Sequence, residues 1–144
     1  MTKYYIPDIL PDKTIIEDDG TIIIGEGVLI TEEDDIIVGK GSQLRILPGL
    51  KLNINEIKNY GYIENGGDVC VNILNNFGKF NNVDLFIVKD KFINNGTFDN
   101  YYYLYLLKAK EIANNKKIRN YLYVGAIVFA NYEIFKGNKI KNYT

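Results

Sequence analysis

One nine-residue pattern constrains the fold of this chain more than any other feature: apolar-x-Asn-x-Gly-x-apolar-x-Asn. It reads Ile57-x-Asn59-x-Gly61-x-Ile63-x-Asn65, then Leu74-x-Asn76-x-Gly78-x-Phe80-x-Asn82, then Phe92-x-Asn94-x-Gly96-x-Phe98-x-Asn100. Two looser copies follow. Ile112-x-Asn114-x-Lys116-x-Ile118-x-Asn120 carries lysine in the glycine slot, and Ile134-x-Lys136-x-Asn138-x-Ile140-x-Asn142 carries Asn138 there. The five copies start at Ile57, Leu74, Phe92, Ile112 and Ile134, so the spacing is near-constant and lengthens slowly along the chain. A related pair precedes them: Ile22 to Gly27 is echoed by Ile36 to Gly41, and Leu44 to Leu52 fills the coil between this pair and Ile57.

Apolar residues at period two form strands with one buried face. The Asn-x-Gly element between them predicts a corner, with glycine reaching positive φ and asparagine tolerating the left-handed region. A unit of roughly 20 residues cannot bury its own apolar face, but stacking on its neighbours can. Asn59, Asn76, Asn94 and Asn114 then fall in line and can form an amide ladder. The second strand of each coil is predicted at Leu50 to Ile54, Asp68 to Ile73, Val83 to Val88, Tyr102 to Leu107 and Val124 to Ala130. The expected fold is therefore all-β: a single-domain parallel β-solenoid of five to seven short coils. Residues 1–21 form an N-terminal cap and 22–142 the coils. Right-handed crossovers are preferred for parallel strands. Leu74, Phe80, Phe86, Phe92, Phe98 and Leu104 recur at hexapeptide spacing, which is the spacing of left-handed β-helices. Two alternatives stay open: an antiparallel meander with Asn-Gly hairpins, and a helix over residues 101–114.

The stretches from Ile57, Leu74 and Phe92 resemble β-helix repeats of viral and bacterial surface proteins. Ile37 to Ile54, with Leu47-Pro48-Gly49, resembles an opening coil of such a helix. The bias toward Asn, Ile, Lys and Tyr also resembles proteins of AT-rich genomes, including giant DNA viruses and their virophages. The resemblance implies a homo-oligomer, often a trimer, in a fibre or at a particle surface.

The chain has 144 residues and no histidine. Left-handed β-helix acyltransferases rely on a catalytic histidine, and γ-class carbonic anhydrases on a histidine-bound zinc, so neither activity is open to it. Ser–His–Asp and Cys–His sites are excluded too. The single cysteine, Cys70, is expected to be a buried structural thiol rather than a metal ligand. Gly25-x-Gly27 and Gly39-x-Gly41 read as turns, not phosphate loops. Glu17-Asp18-Asp19-Gly20 and Glu32-Glu33-Asp34-Asp35 lack EF-hand spacing and read as solvated turns. Met1 to Leu10 lacks the apolar run of a signal peptide, and the apolar run Tyr121 to Ala130 is too short for a membrane helix. A cytoplasmic or virion location is expected, with no cofactor and no metal.

Charge is segregated along the chain. Residues 1–40 hold ten acids against three lysines, and residues 101–144 hold eight basic residues against two acids. In a solenoid, sequence order maps onto the axis, so opposite ends carry opposite charge. The function expected is that of a non-enzymatic structural or interaction protein, acting as a homo-oligomer with the trimer favoured. Two other readings have specific residues behind them. Glu64 and Asp99 hold the same repeat position two coils apart, about 10 Å by strand spacing, which suits a glycan-binding or glycan-cleaving module. The basic C-terminal third interleaves Tyr101, Tyr102, Tyr103, Tyr105, Tyr121, Tyr123, Tyr132 and Tyr143, a composition that can bind single-stranded nucleic acid.

Overall fold

Period-two alternation becomes strand throughout the computed structural model, which describes residues 1–121, 125–128 and 135–144. The described residues form no helix, and so none able to cross a membrane. The chain opens with β1 (Lys3–Ile6), β2 (Ile15–Ile16), β3 (Ile22–Ile24), β4 (Asp35–Val38) and β5 (Gln43–Ile46). The repeats supply β6 (Lys51–Asn59), β7 (Tyr62–Asn65), β8 (Asp68–Asn76), β9 (Lys79–Asn82), β10 (Leu85–Asn94) and β11 (Thr97–Asn100). Then come β12 (Tyr103–Tyr105), β13 (Glu111–Asn114), β14 (Lys117–Tyr121), β15 (Ala126–Val128), β16 (Phe135–Gly137) and β17 (Lys141–Tyr143). Nearly every pairing is parallel and joins a strand to its counterpart one coil away. The exceptions are the antiparallel pair β2–β3 and the bridge Tyr5–Ile9, both of which precede β4. The result is a parallel β-solenoid of about six turns. The meander is thereby overturned, and residues 101–114 contain strands β12 and β13 in place of a helix.

Each coil has three faces, one more than the two strands per coil expected. The alternation in β6 and β8 skips a beat: Ile54 and Ile57 are both buried, as are Val71 and Leu74, with two residues between them instead of one. The two halves of a long strand accordingly belong to different stacks. Face 1 consists of the first halves of β6, β8 and β10, followed by β12 and β15. Face 2 consists of β1, β4, the second halves of the same long strands, β13 and β16. Face 3 consists of β3, β5, β7, β9, β11, β14 and β17. One residue from each face meets in the core of the coil that holds Phe86, Phe92 and Phe98. Phe98 lies 6.1 Å from Phe86 and 5.2 Å from Phe92, ring centre to ring centre. The hexapeptide recurrence is one face plus one corner. Later coils lengthen between faces 1 and 2, where the register slips between Val88 and Lys91 and where Leu107 and Lys108 form a turn.

Two corners per coil are built by asparagine. Asn59, Asn76, Asn94 and Asn114 are buried and form one amide ladder, each Nδ2 donating to the next Oδ1 at 2.9 Å. A second ladder runs Asn65, Asn82, Asn100, Asn120, Asn142, with bonds of 2.9–3.2 Å. The same amides brace the corner backbone. Asn59 Oδ1 accepts from Gly61 N–H and Asn94 Oδ1 from Gly96 N–H, while Asn76 Nδ2 donates to the carbonyls of Gly78 and Thr97. No ladder residue has a positive φ, so asparagine serves here through its amide rather than through the left-handed region.

The glycines also act differently from expectation. Gly61, Gly78 and Gly96 are not at positive φ. They are required because coils approach closely: a Cβ on Gly78 would collide with the carbonyl oxygen of Gly61, and one on Gly96 with that of Gly78. Asn138 does not occupy the glycine slot. β16 pairs Gly137 with Asn114, so Asn138 sits one position earlier, where Asn115 and Asn95 sit in preceding coils. It is exposed, and its Nδ2 donates to Lys116 O at 3.0 Å. Gly137, with φ 96°, carries no amide to extend the first ladder, so Asn114 Nδ2 donates to Asn138 O instead. Ile134, Tyr123 and Tyr132 lie outside the described residues.

Candidate functional site

On a strand whose inward residues fill the core, the outward residues decide what the molecule can meet. Face 1 is unlike the other two. Leu85, Tyr103 and Ala126 stand in one outward row, and Ile87, Tyr105 and Val128 in the next. All six are half-buried, apolar or aromatic, and uncharged. The rings of Tyr103 and Tyr105 lie nearly parallel with centres 6.4 Å apart, and Tyr102 tilts against Tyr103. Exposed Val83 and Tyr102 extend the patch over one corner, and exposed Leu107 over the other. It covers three coils, about 10 Å along the axis at normal strand spacing.

Charge frames this patch asymmetrically. Lys89, Lys108 and Lys110 stand on the corner between faces 1 and 2, with Asp90 among them, while Asp68 and Asp84 stand at the opposite margin. Cys70 lies in the same row as Ile87, one coil earlier. Its neighbours Val69 and Val71 point inward, so the thiol faces out and is half-buried, not the core thiol expected. Burial raises the Cys70 thiol pKa, with Lys89 and Lys108 acting in the opposite direction and Asp68 with it.

Face 3 carries an outward row of polar residues: Arg45, Glu64, Asn81, Asp99, Arg119 and Lys141. The two carboxylates weighed as a catalytic pair are each engaged by an arginine. Arg45 Nε lies 2.9 Å from Glu64. Arg119 bonds Asp99 bidentately, at 2.6 and 2.7 Å, with the Asp99 side chain only 1% exposed. Asn81 stands between them in register, donating to Tyr62 Oη at 2.8 Å. Bonding to Asp99 is the main cause that raises the Arg119 pKa.

The tyrosines separate into two groups. Tyr102, Tyr103 and Tyr105 belong to face 1. Tyr101, Tyr121 and Tyr143 form a column at the corner between faces 3 and 1, with centres 4.5 and 5.4 Å apart. Their faces are occupied largely by one another. Burial, with Asp99 nearby, pushes the Tyr101 hydroxyl up to about 12.

The acidic turns are not alike. Asp19 Oδ1 accepts from Thr21 N–H at 2.9 Å, and that bond lowers its pKa. Asp34 and Asp35 are buried, contrary to the reading of that run as a solvated turn. Burial alone would raise the Asp34 carboxyl, but the N–H groups of Thr31 and Thr2 outweigh it and hold the pKa below its ordinary value. Among the described residues no three His, Cys, Asp or Glu side chains are placed to hold a metal ion.

No protein-family model, no curated protein and no solved structure matches the chain.

Proposed function

We propose that the chain is a non-enzymatic structural or interaction protein that works as a homo-oligomer through face 1. The observation that supports this reading is the uncharged outward patch of Leu85, Ile87, Tyr103, Tyr105, Ala126 and Val128. Contiguous apolar surface of this kind marks interaction sites in folded proteins, and tyrosine is enriched at their centres. Copies with parallel axes can cover it by turning face 1 inward around a shared three-fold axis. Each lysine margin (Lys89, Lys108, Lys110) then stands beside the aspartate margin of the next protomer (Asp68, Asp84). That pairing of unlike margins is heterologous, and a three-fold rotation closes it as a ring. The trimer is the ring we favour, in keeping with a fibre-like or particle-surface component.

Absolute mass by light scattering on a sizing column tests the proposal. The wild-type chain should elute at three times its 16.5 kDa. The double variant Ile87→Lys with Tyr105→Lys should elute as a monomer with an unchanged far-ultraviolet circular dichroism spectrum. A monomeric wild-type chain, or an oligomer indifferent to both lysines, overturns it.

A further inference from the structure

A second surface, on face 2 and remote from the patch, has the features of a ligand site. Gly39, Tyr60 and Phe77 follow equivalent strand ends in successive coils, as the bonds of their N–H groups to Ile6, Val38 and Asn59 show. The Tyr60 and Phe77 rings stack at 4.9 Å and 4° from parallel, each 44% exposed. At the next level of that column stands Gly39, which has no side chain to stack on the other face of the Tyr60 ring. A groove opens beside it, lined by Lys3, Tyr5, Asp35, Glu56, Lys58 and Tyr60. Lys3, Asp35 and Glu56 are in register across three coils, as are Tyr5, Ile37 and Lys58. The groove therefore spans about 10 Å along the axis.

Its polar groups are held in place. Asp35 Oδ1 accepts from Asn55 Nδ2 at 2.9 Å, and Glu56 Oε2 accepts from Asn75 Nδ2 at 2.8 Å. Each bond uses one carboxylate oxygen and orients the other. Fixed acceptors beside aromatic walls are the usual composition of small-molecule sites.

We infer that this groove binds a neutral oligosaccharide. Two lysines and two carboxylates balance, which disfavours a strongly charged ligand. The excess of acids in residues 1–40 repels polyanions from this end of the molecule. The carboxylates disfavour an apolar peptide. A sugar ring meets both demands: its C–H face packs on the electron-rich face of an exposed tyrosine, and its hydroxyls donate to Asp35 and Glu56 and accept from Lys3 and Lys58.

Titration of the ¹⁵N-labelled chain with neutral gluco-, manno- and chito-oligosaccharides, followed by NMR, tests this. Shift changes should cluster at Lys3–Ile6, Asp35–Val38 and Glu56–Tyr60 for at least one sugar, with Kd of about 1 mM or tighter. Tyr5→Ala and Glu56→Gln should each weaken binding about tenfold, or about 1.4 kcal/mol, without lowering the melting temperature. Tyr60→Ala should do the same, and the other two variants keep the test valid if it also disturbs the Phe77 stack. No shifts with any neutral sugar, shifts confined to other faces, preferential binding of heparin or RNA in the groove, or unchanged affinity in Tyr5→Ala and Glu56→Gln would each overturn the inference. These outcomes do not depend on the oligomer formed through face 1.

Discussion

Asn76 illustrates what a single residue contributes to this fold. Its amide accepts from Asn59, donates to Asn94 and also reaches the carbonyls of Gly78 and Thr97, all inside the molecule. Replacement by alanine breaks both ladder bonds, leaving Asn59 Nδ2 with Lys79 O alone and Asn94 Oδ1 with the Gly96 N–H alone, at ~1–2 kcal/mol for each broken bond. Asn76→Ala should therefore cost about 2–4 kcal/mol, which for a chain of this length lowers the melting temperature by roughly 5–15 °C. Asn115, whose amide donates to Asn95 on the surface, offers the contrast. Asn115→Ala should change stability by less than about 0.5 kcal/mol. Calorimetry on both variants checks the difference, and equal losses would show that the buried ladder adds nothing. The first ladder is legible in the repeat. The second, through Asn65, Asn82, Asn100, Asn120 and Asn142, stands in the same repeat text but escapes a reading by pattern. Those residues look like the close of a strand, and only the structure shows that a third face turns there.

The elements are joined by corners, and two kinds of glycine serve them. Gly41 has a φ of +83° with open space around the position of a Cβ. There an added side chain meets only the backbone penalty of the left-handed region, about 1–2 kcal/mol. Gly78 has an ordinary φ, but a Cβ would meet the carbonyl of Gly61 directly. Overpacking of this type costs typically ~1–3 kcal/mol and sometimes more, and here the obstacle is backbone that two strands hold in place. Gly78→Ala should therefore destabilise more than Gly41→Ala in chemical denaturation, and the reverse order would refute the close-approach account. A sequence marks both positions with the same letter. Only the spacing between stacked coils distinguishes them. The bend in β6 and β8 is more legible, because Ile54 to Ile57 and Val71 to Leu74 break the alternation visibly.

At the scale of the whole molecule, stacking order follows chain order, from β1 and β3 to β16 and β17. The acid-rich segment 1–40 and the base-rich segment 101–144 thus lie toward opposite ends of the axis. Unlike ends attract, so axial association should be added to the proposed lateral oligomer at low ionic strength. Light scattering at about 0.01 M and about 1 M salt, where the screening length shrinks from ~30 to ~3 Å, separates the two modes. The axial component should vanish at high salt and the lateral one persist, since apolar contact is not screened. Association that survives high salt in the Ile87→Lys, Tyr105→Lys variant would contradict the axial account.

What the sequence determined by itself is the stacking. A unit of roughly 20 residues with one apolar row per strand has no core until a neighbour covers it, so repetition favours a parallel solenoid over the meander that the register between coils then excludes. What only the tertiary structure decided is which side faces out where a strand is apolar throughout. In Leu85-Phe86-Ile87-Val88 every residue is apolar, so alternation cannot tell the core row from the surface row. The register with Asp68-Val69-Cys70-Val71 resolves it, turning Phe86 and Val88 inward and leaving Leu85 and Ile87 on the outer face. The groove is likewise a product of register. Lys3, Asp35 and Glu56 lie far apart along the chain, and only the hydrogen bonding between coils brings them into one row.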